Sequence, residues 1–286
     1  MKEKILQHVK YITDSLGTRN LYNKENYINL NLTKEYIIKQ FRLISDTVNV
    51  YDYEVDGKIV SNIELVLEGA FNQNDILILG AHYDTVNGTV GANDNASGIA
   101  ALILLAEDLV KCKLNNTVKL VAFVLEEPPY FMTTDMGSYQ YHKLCKGRKD
   151  NIIGMICLDI IGCYTGEQEY PLDSMVGTYP KEGNFIAAVG EPSSFMDNFL
   201  KIYKSQDLFP IESFVDNGES GLEFCNWSDH YWFYEYGAFL LTDTAFFRHE
   251  TYHSSDDTYD KLDYEKMEEM LKVLVVTIKE MVGIGK

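Results

Sequence analysis

His82 is followed two residues later by Asp84, and the pair comes just after the apolar run ILILG at 76–80. In extended chain, residues two apart point to the same side, so the carboxylate can orient the imidazole. The dipeptide spacing alone is common and carries little weight. Asp94 sits within GANDNASG (91–98), among Asn and Gly residues that permit unusual backbone geometry. Taken singly, it would read as a helix cap. Glu126 and Glu127 are more telling, because they close the run VKLVAFVL (118–125) and precede Pro128-Pro129. Two adjacent carboxylates at the end of a buried strand are costly without a cation beside them. Asp159 follows IIGMICL (152–158) and poses the same problem. Neutral imidazole and carboxylate are zinc ligands, and mixed His/Asp/Glu shells mark catalytic rather than structural zinc.

The elements that must position these residues show in the apolar pattern. Short Val/Ile/Leu-rich runs at 76–80, 118–125, 152–158, 185–189 and 238–242 suit strands buried on both faces. The stretch SGIAALILLAEDLVK (97–111) is apolar nearly all round and reads as a buried crossover helix. From Tyr264, Met267, Leu271, Leu274 and Ile278 share one face of a long amphipathic helix. Amphipathic helices are predicted at 2–16 and 32–45, and two further strands at 48–55 and 59–68. The fold class is therefore α/β: a single domain over 1–286, with a mostly parallel central sheet and helices on both faces. Segments 162–184 and 205–227 lack clear periodicity and are candidate lid loops over a site. Each central run ends in His82, Glu126-Glu127, Asp159 or Asp243. In open α/β sheets the ligand crevice lies outside the carboxyl ends of the strands.

The chain has 286 residues and a formal net charge of -18. Its acidity, with no Lys/Arg-rich run, argues against binding a nucleic-acid backbone. No apolar run is long enough to span a bilayer, and the N-terminus lacks the uninterrupted apolar stretch of a secretory signal. Five scattered cysteines with no CxxC pair fit reduced thiols, so a cytoplasmic location is expected.

HYD (82–84), GANDNASG, EE (126–127), LDIIG (158–162) and YHSSDDT (252–258), in that order, resemble the co-catalytic di-zinc aminopeptidase family. That family also contains glutaminyl-cyclase and transferrin-receptor-like relatives. The resemblance runs from about residue 15 to the C-terminus. It is closest to a bacterial branch with EEPP and MGS after the carboxylate pair and SDH…F…TDTAFFR before the last histidine. It implies a zinc-exopeptidase-like fold and two zinc ions, with cobalt or manganese as possible substitutes. One ion would take His82, Asp94 and Asp159; the other would take Asp94, Glu127 and His253, with Asp94 bridging. Glu126 would be the general base and Asp84 the residue that orients His82, and the bond after Asp94 is often cis in the family. His253 rather than His249 matches the family pattern, since Tyr252 precedes it and Asp257-Thr258 follow four and five residues on. His249 is then expected at the rim and His8 and His142 on the surface. His230, in WSDHYWF, reads equally as pocket wall or as structure. Asp229, Asp243 and Asp257 are candidates for hydrogen bonds behind the ligands. Trp227, Tyr231, Trp232, Phe233, Phe246 and Phe247 read as core or as an apolar specificity pocket.

The implied reaction is hydrolysis of a peptide bond at a chain terminus, as in an aminopeptidase acting on peptide substrates. Alternatives within the resemblance are a single-zinc glutaminyl-cyclase-like acyltransferase and a non-catalytic receptor-like relative.

Overall fold

The computed structural model describes residues 1–164, 166–216, 218, 222–248 and 250–285. The apolar runs form strands β1 (Val48–Val55), β2 (Lys58–Leu67), β3 (Asn72–His82), β4 (Asn116–Phe123), β5 (Asn151–Leu158), β6 (Ile186–Gly190), β7 (Ile211–Val215) and β8 (Phe239–Thr242). They make one eight-stranded sheet in the order β1-β2-β4-β3-β5-β8-β6-β7. The centre, β4-β3-β5-β8, is parallel. Antiparallel pairing enters at β1-β2, β2-β4 and β8-β6, while β6 and β7 run parallel.

The two-residue period of a strand explains why the central runs are apolar throughout. In β3, Leu77, Leu79 and Ala81 pack into one core while Ile76 and Ile78 pack into the other. β5 divides Ile156 and Leu158 from Met155 and Cys157 in the same way. The larger core is covered by α1 (Lys2–Lys10), α2 (Lys24–Arg42), α3 (Ser97–Leu109), α5 (Ser194–Ser205) and α6 (Tyr264–Val282). On the opposite face, α4 (Gly137–Arg148) and the short helical stretch Asp229–Tyr236 close the smaller core. The α/β class, the mostly parallel sheet and helices on both faces all match expectation.

Three local expectations are corrected. The second helix begins at Lys24, not near 32, because the Asn23 side chain accepts from the Asn26 amide at 2.9 Å and caps it. Within 205–227, residues 211–215 form β7, a sheet-edge strand too short to show alternation. His8 is buried rather than on the surface, with Nδ1 2.7 Å from the Tyr36 hydroxyl. α5 also carries a legible signal, with Met196, Phe199 and Tyr203 at helical spacing behind the Ser193 cap.

Candidate metal centre

Five chain segments deliver polar side chains to the carboxyl edge of the sheet. β3 ends at His82, β4 runs on to Glu126 and Glu127, and β5 runs on to Asp159. Asp94 stands at the turn that opens α3, and His253 lies in the connection between β8 and α6. All but His253 are buried. His82 Nε2 is 3.1 Å from Asp159 Oδ1 and 3.2 Å from Asp94 Oδ1. His253 Nε2 is 3.0 Å from Asp94 Oδ2 and 3.4 Å from Glu127 Oε2. Asp94 thus offers one oxygen to each histidine. Glu126 Oε2 stands 4.0 Å from His82 Nε2.

The donor chemistry and spacing fit metal. Zinc–N and zinc–O bonds of about 2.0–2.1 Å in a tetrahedron place neighbouring donors about 3.3 Å apart. Prospective donor atoms of His82, Asp94 and Glu127 all lie within 4.8 Å of one another.

Hydrogen bonds behind these atoms fix their directions. Asp84 accepts from the Glu126 amide on Oδ1 and the Glu127 amide on Oδ2, each at 3.1 Å, and lies 3.5 Å from His82 Nδ1. One carboxylate therefore ties the end of β3 to the turn after β4. Glu127 Oε1 accepts from the Val86 amide at 3.2 Å. Asp257 accepts from the amides of Asn93 (2.8 Å) and Asp94 (3.1 Å), which sets the turn that carries Asp94. The Asp94–Asn95 bond is cis, in keeping with the resemblance. Asn95 Nδ2 donates to the Leu158 carbonyl, and its Oδ1 accepts from the Gly98 amide, each at 2.9 Å. Asp243 accepts from Asn93 Nδ2 at 2.8 Å and from the Cys163 amide at 2.7 Å. Asp229 is fully buried, and burial pushes its pKa up to about 7. Ser138 is its hydrogen-bonding side chain, and no described hydrogen bond joins it to a proposed metal ligand.

The charges respond as a crowded carboxylate cluster must. Burial, with the neighbouring Asp159 and Glu127 charges, holds the Glu126 pKa well above the usual carboxylate range. Burial and the Asp94 charge push Glu127 up to about 8. Burial would raise Asp94 too, but its hydrogen bonds to His253 and His82 outweigh it and drive its pKa far down. His253 feels the reverse: burial lowers it, yet Asp94 and Glu127 push it up to about 10.

Two supports escaped sequence reading. Ser228 Oγ donates to Asp159 Oδ2 at 2.7 Å, a role its place in WSDH only hints at. Arg19, remote in sequence, carried no signal. His230 is fully buried, with Nε2 2.8 Å from the Cys225 carbonyl, and does not line the site cavity. His142 is half-buried, its Nε2 2.9 Å from Glu235 Oε1. His249 lies outside the described residues.

A cavity of about 410 Å³ opens over the cluster. Segment 168–175 contributes Gln168, Glu169, Tyr170, Pro171 and Met175. Val189, Phe214 and Leu240 from β6, β7 and β8 also line it, as do Trp227, Phe246 and Phe247. Tyr231, Trp232 and Phe233 do not, so the aromatic set divides between pocket and packing.

An α/β fold with histidines and carboxylates gathered at its carboxyl edge defines a metallohydrolase-type site. The model of peptidase family M28 matches residues 62–278, and the chain belongs to that family of zinc peptidases. The chain is 34% identical to the uncharacterized protein YfbL of Escherichia coli (strain K12) over 292 residues, covering 96% of this chain and 87% of that one. The fold is similar to that of BSAP, a zinc aminopeptidase from Bacillus subtilis, with a TM-score of 0.77 at 12% identity. That match covers 100% of this chain and 95% of BSAP. It is also similar to the Fimbriiglobus ruber glutaminyl cyclase, with a TM-score of 0.72 at 19% identity, covering 98% and 95%. Among the described residues no helix is long and apolar enough to cross a membrane.

Proposed function

We propose that the protein is a two-zinc aminopeptidase that removes the N-terminal residue of peptides. His82, Asp94 and Asp159 would hold one ion and Asp94, Glu127 and His253 the other, with Asp94 shared. The observation that carries this reading is the placement of Asp94 between the two histidines, with Glu126 Oε2 4.0 Å from His82 Nε2. When bound, the ions supply Lewis acidity that polarises the scissile carbonyl and acidifies water. Glu126 takes the proton of the attacking water and delivers it to the departing amine. Its raised pKa suits a group that must hold that proton between the two steps. Asp84 keeps His82 oriented and sets the backbone of Glu126 and Glu127.

The choice of the amino terminus rests on charge. Apart from His253, the charged side chains lining the cavity among the described residues are Asp94, Glu126, Glu127, Asp159 and Glu169. With the ions bound, their charge would offset that of Asp94, Glu126, Glu127 and Asp159, which leaves Glu169 as the carboxylate that attracts a substrate ammonium and repels a C-terminal carboxylate. The apolar wall at Val189, Phe214 and Leu240 suits a hydrophobic terminal side chain.

Glu126→Gln tests the base directly. It should retain wild-type zinc while peptide hydrolysis falls by about 10²–10⁴-fold. Near-wild-type turnover in a zinc-loaded variant would remove Glu126 from the mechanism. A glutaminyl-cyclase-like acyltransferase is the competing reaction. It would cyclise N-terminal glutamine and need one zinc per chain, against two for the hydrolase.

A further inference from the structure

Arg19 is the largest fully buried side chain among the described residues. Among the described residues it forms no ion pair, and its guanidinium donates only to backbone carbonyls. Nε reaches Tyr83 O at 2.8 Å, and Nη1 reaches Gly17 O at 2.8 Å and Val90 O at 2.7 Å. Nη2 reaches Gly91 O at 3.3 Å. Burying a cation is costly unless its hydrogen bonds are met, and here a planar fork is used to gather four carbonyls.

Three of those carbonyls belong to the loop 83–91. That loop begins directly after His82 and ends three residues before Asp94. Arg19 therefore ties together the two ends of the chain segment separating two proposed metal donors. Its main chain adds a second tie: the Arg19 amide donates to Thr85 Oγ1 at 3.1 Å, and the Thr85 amide donates back to Arg19 O at 2.8 Å. Neighbouring residues extend the clasp. Thr18 Oγ1 donates to Thr89 O at 2.7 Å, Asn20 Nδ2 to Thr85 O at 3.1 Å, and Asn26 Nδ2 to Asn87 Oδ1 at 3.1 Å. Gly91, where the loop ends, has a φ of +57° and accepts from the Ala96 amide at 3.1 Å across the Asp94 turn. A Cβ at Gly91 would collide with the Asp94 carbonyl oxygen, so the loop end and the donor turn are packed directly together. Burial lowers the Arg19 pKa to about 10, against the opposing pull of Asp84, Asp257, Asp94 and Glu127, and it stays charged at neutral pH. Arg19 lies outside the residues matched by the family model, which begin at 62.

We propose that Arg19 is a positioning residue of the metal centre, clasping loop 83–91 so that His82 and Asp94 keep the spacing a common ion requires. This rests on the metal-centre reading above. A purely structural arginine would lower the melting temperature of the metal-free and zinc-loaded protein alike and leave zinc affinity alone. The test is zinc affinity by chelator competition, alongside melting of the metal-free protein, for wild type, Arg19→Gln and Arg19→Lys. Arg19→Gln is expected to weaken zinc binding by about 10–100-fold, the range for residues that orient metal ligands. Arg19→Lys keeps the charge but not the fork, and should show a comparable loss. A folded Arg19→Gln that binds zinc within about twofold of wild type would overturn the proposal. Should that variant fail to fold, Thr85→Val deletes the hydroxyl acceptor with Arg19 in place. It should weaken zinc several-fold, and unchanged affinity there overturns the proposal equally. Wild type that takes up no zinc would instead sink the metal-centre reading itself.

Discussion

Asp94 faces both histidines, and the proton balance of the cluster follows from that crowding. In the metal-free protein Glu127 is raised to about 8 and His253 to about 10, so both hold protons near neutrality. Both must lose them to ligate. Zinc binding at pH 7 is therefore expected to release protons and to tighten as pH rises from 6 to 8. Calorimetry in buffers of different ionisation enthalpy would reveal the release; binding without proton exchange would contradict it. The same shifts set the stability of the metal-free form. A native pKa above the unfolded value means that the folded state binds more protons, so stability declines as pH climbs through the gap. For Glu127 that window runs from 4.5 to about 8 and for His253 from 6.5 to about 10. The metal-free melting temperature should accordingly fall between pH 6 and pH 9.

At the scale of elements, the site depends on how closely α3 approaches the end of β5. Gly98 lies in the first turn of α3, and a Cβ there would intrude on the Asn95 side chain and the Leu158 carbonyl. Those are the two partners of the hydrogen bond that seats the Asp94 turn against β5. Gly98→Ala should therefore destabilise the protein by about 1–3 kcal/mol in urea unfolding, the range for overpacking. A neutral effect would mean that the helix can withdraw without disturbing the turn.

The central strands were legible because burial on both faces leaves continuous apolar runs. The proposed donors stand out in the sequence because polar residues at those run ends have no place in a core. β7 and the start of α2 were not: β7 is a five-residue edge strand, and α2 opens with polar turns whose partners lie on loop 83–91. Ser228 and Arg19 act on residues far away in sequence, and no spacing rule connects them to the site. His230 is a case the sequence left equally open between pocket wall and structure, and its ring turns inward to a backbone carbonyl.

On the scale of the molecule, the fold brings five segments to one edge of the sheet, and the cavity above them carries carboxylates without a described lysine or arginine. The proposed function couples the metal centre to recognition of a free amine, and the two are separable by experiment. The most direct measurement is a zinc titration of the metal-free protein, reading bound metal and hydrolysis of a short hydrophobic peptide together. A matched N-acetylated peptide runs in parallel. Cleavage of the free-amine peptide should appear with zinc and level off at two ions per chain, while the acetylated peptide stays intact. Cleavage that is indifferent to zinc, or that favours the acetylated peptide, would contradict a two-zinc aminopeptidase.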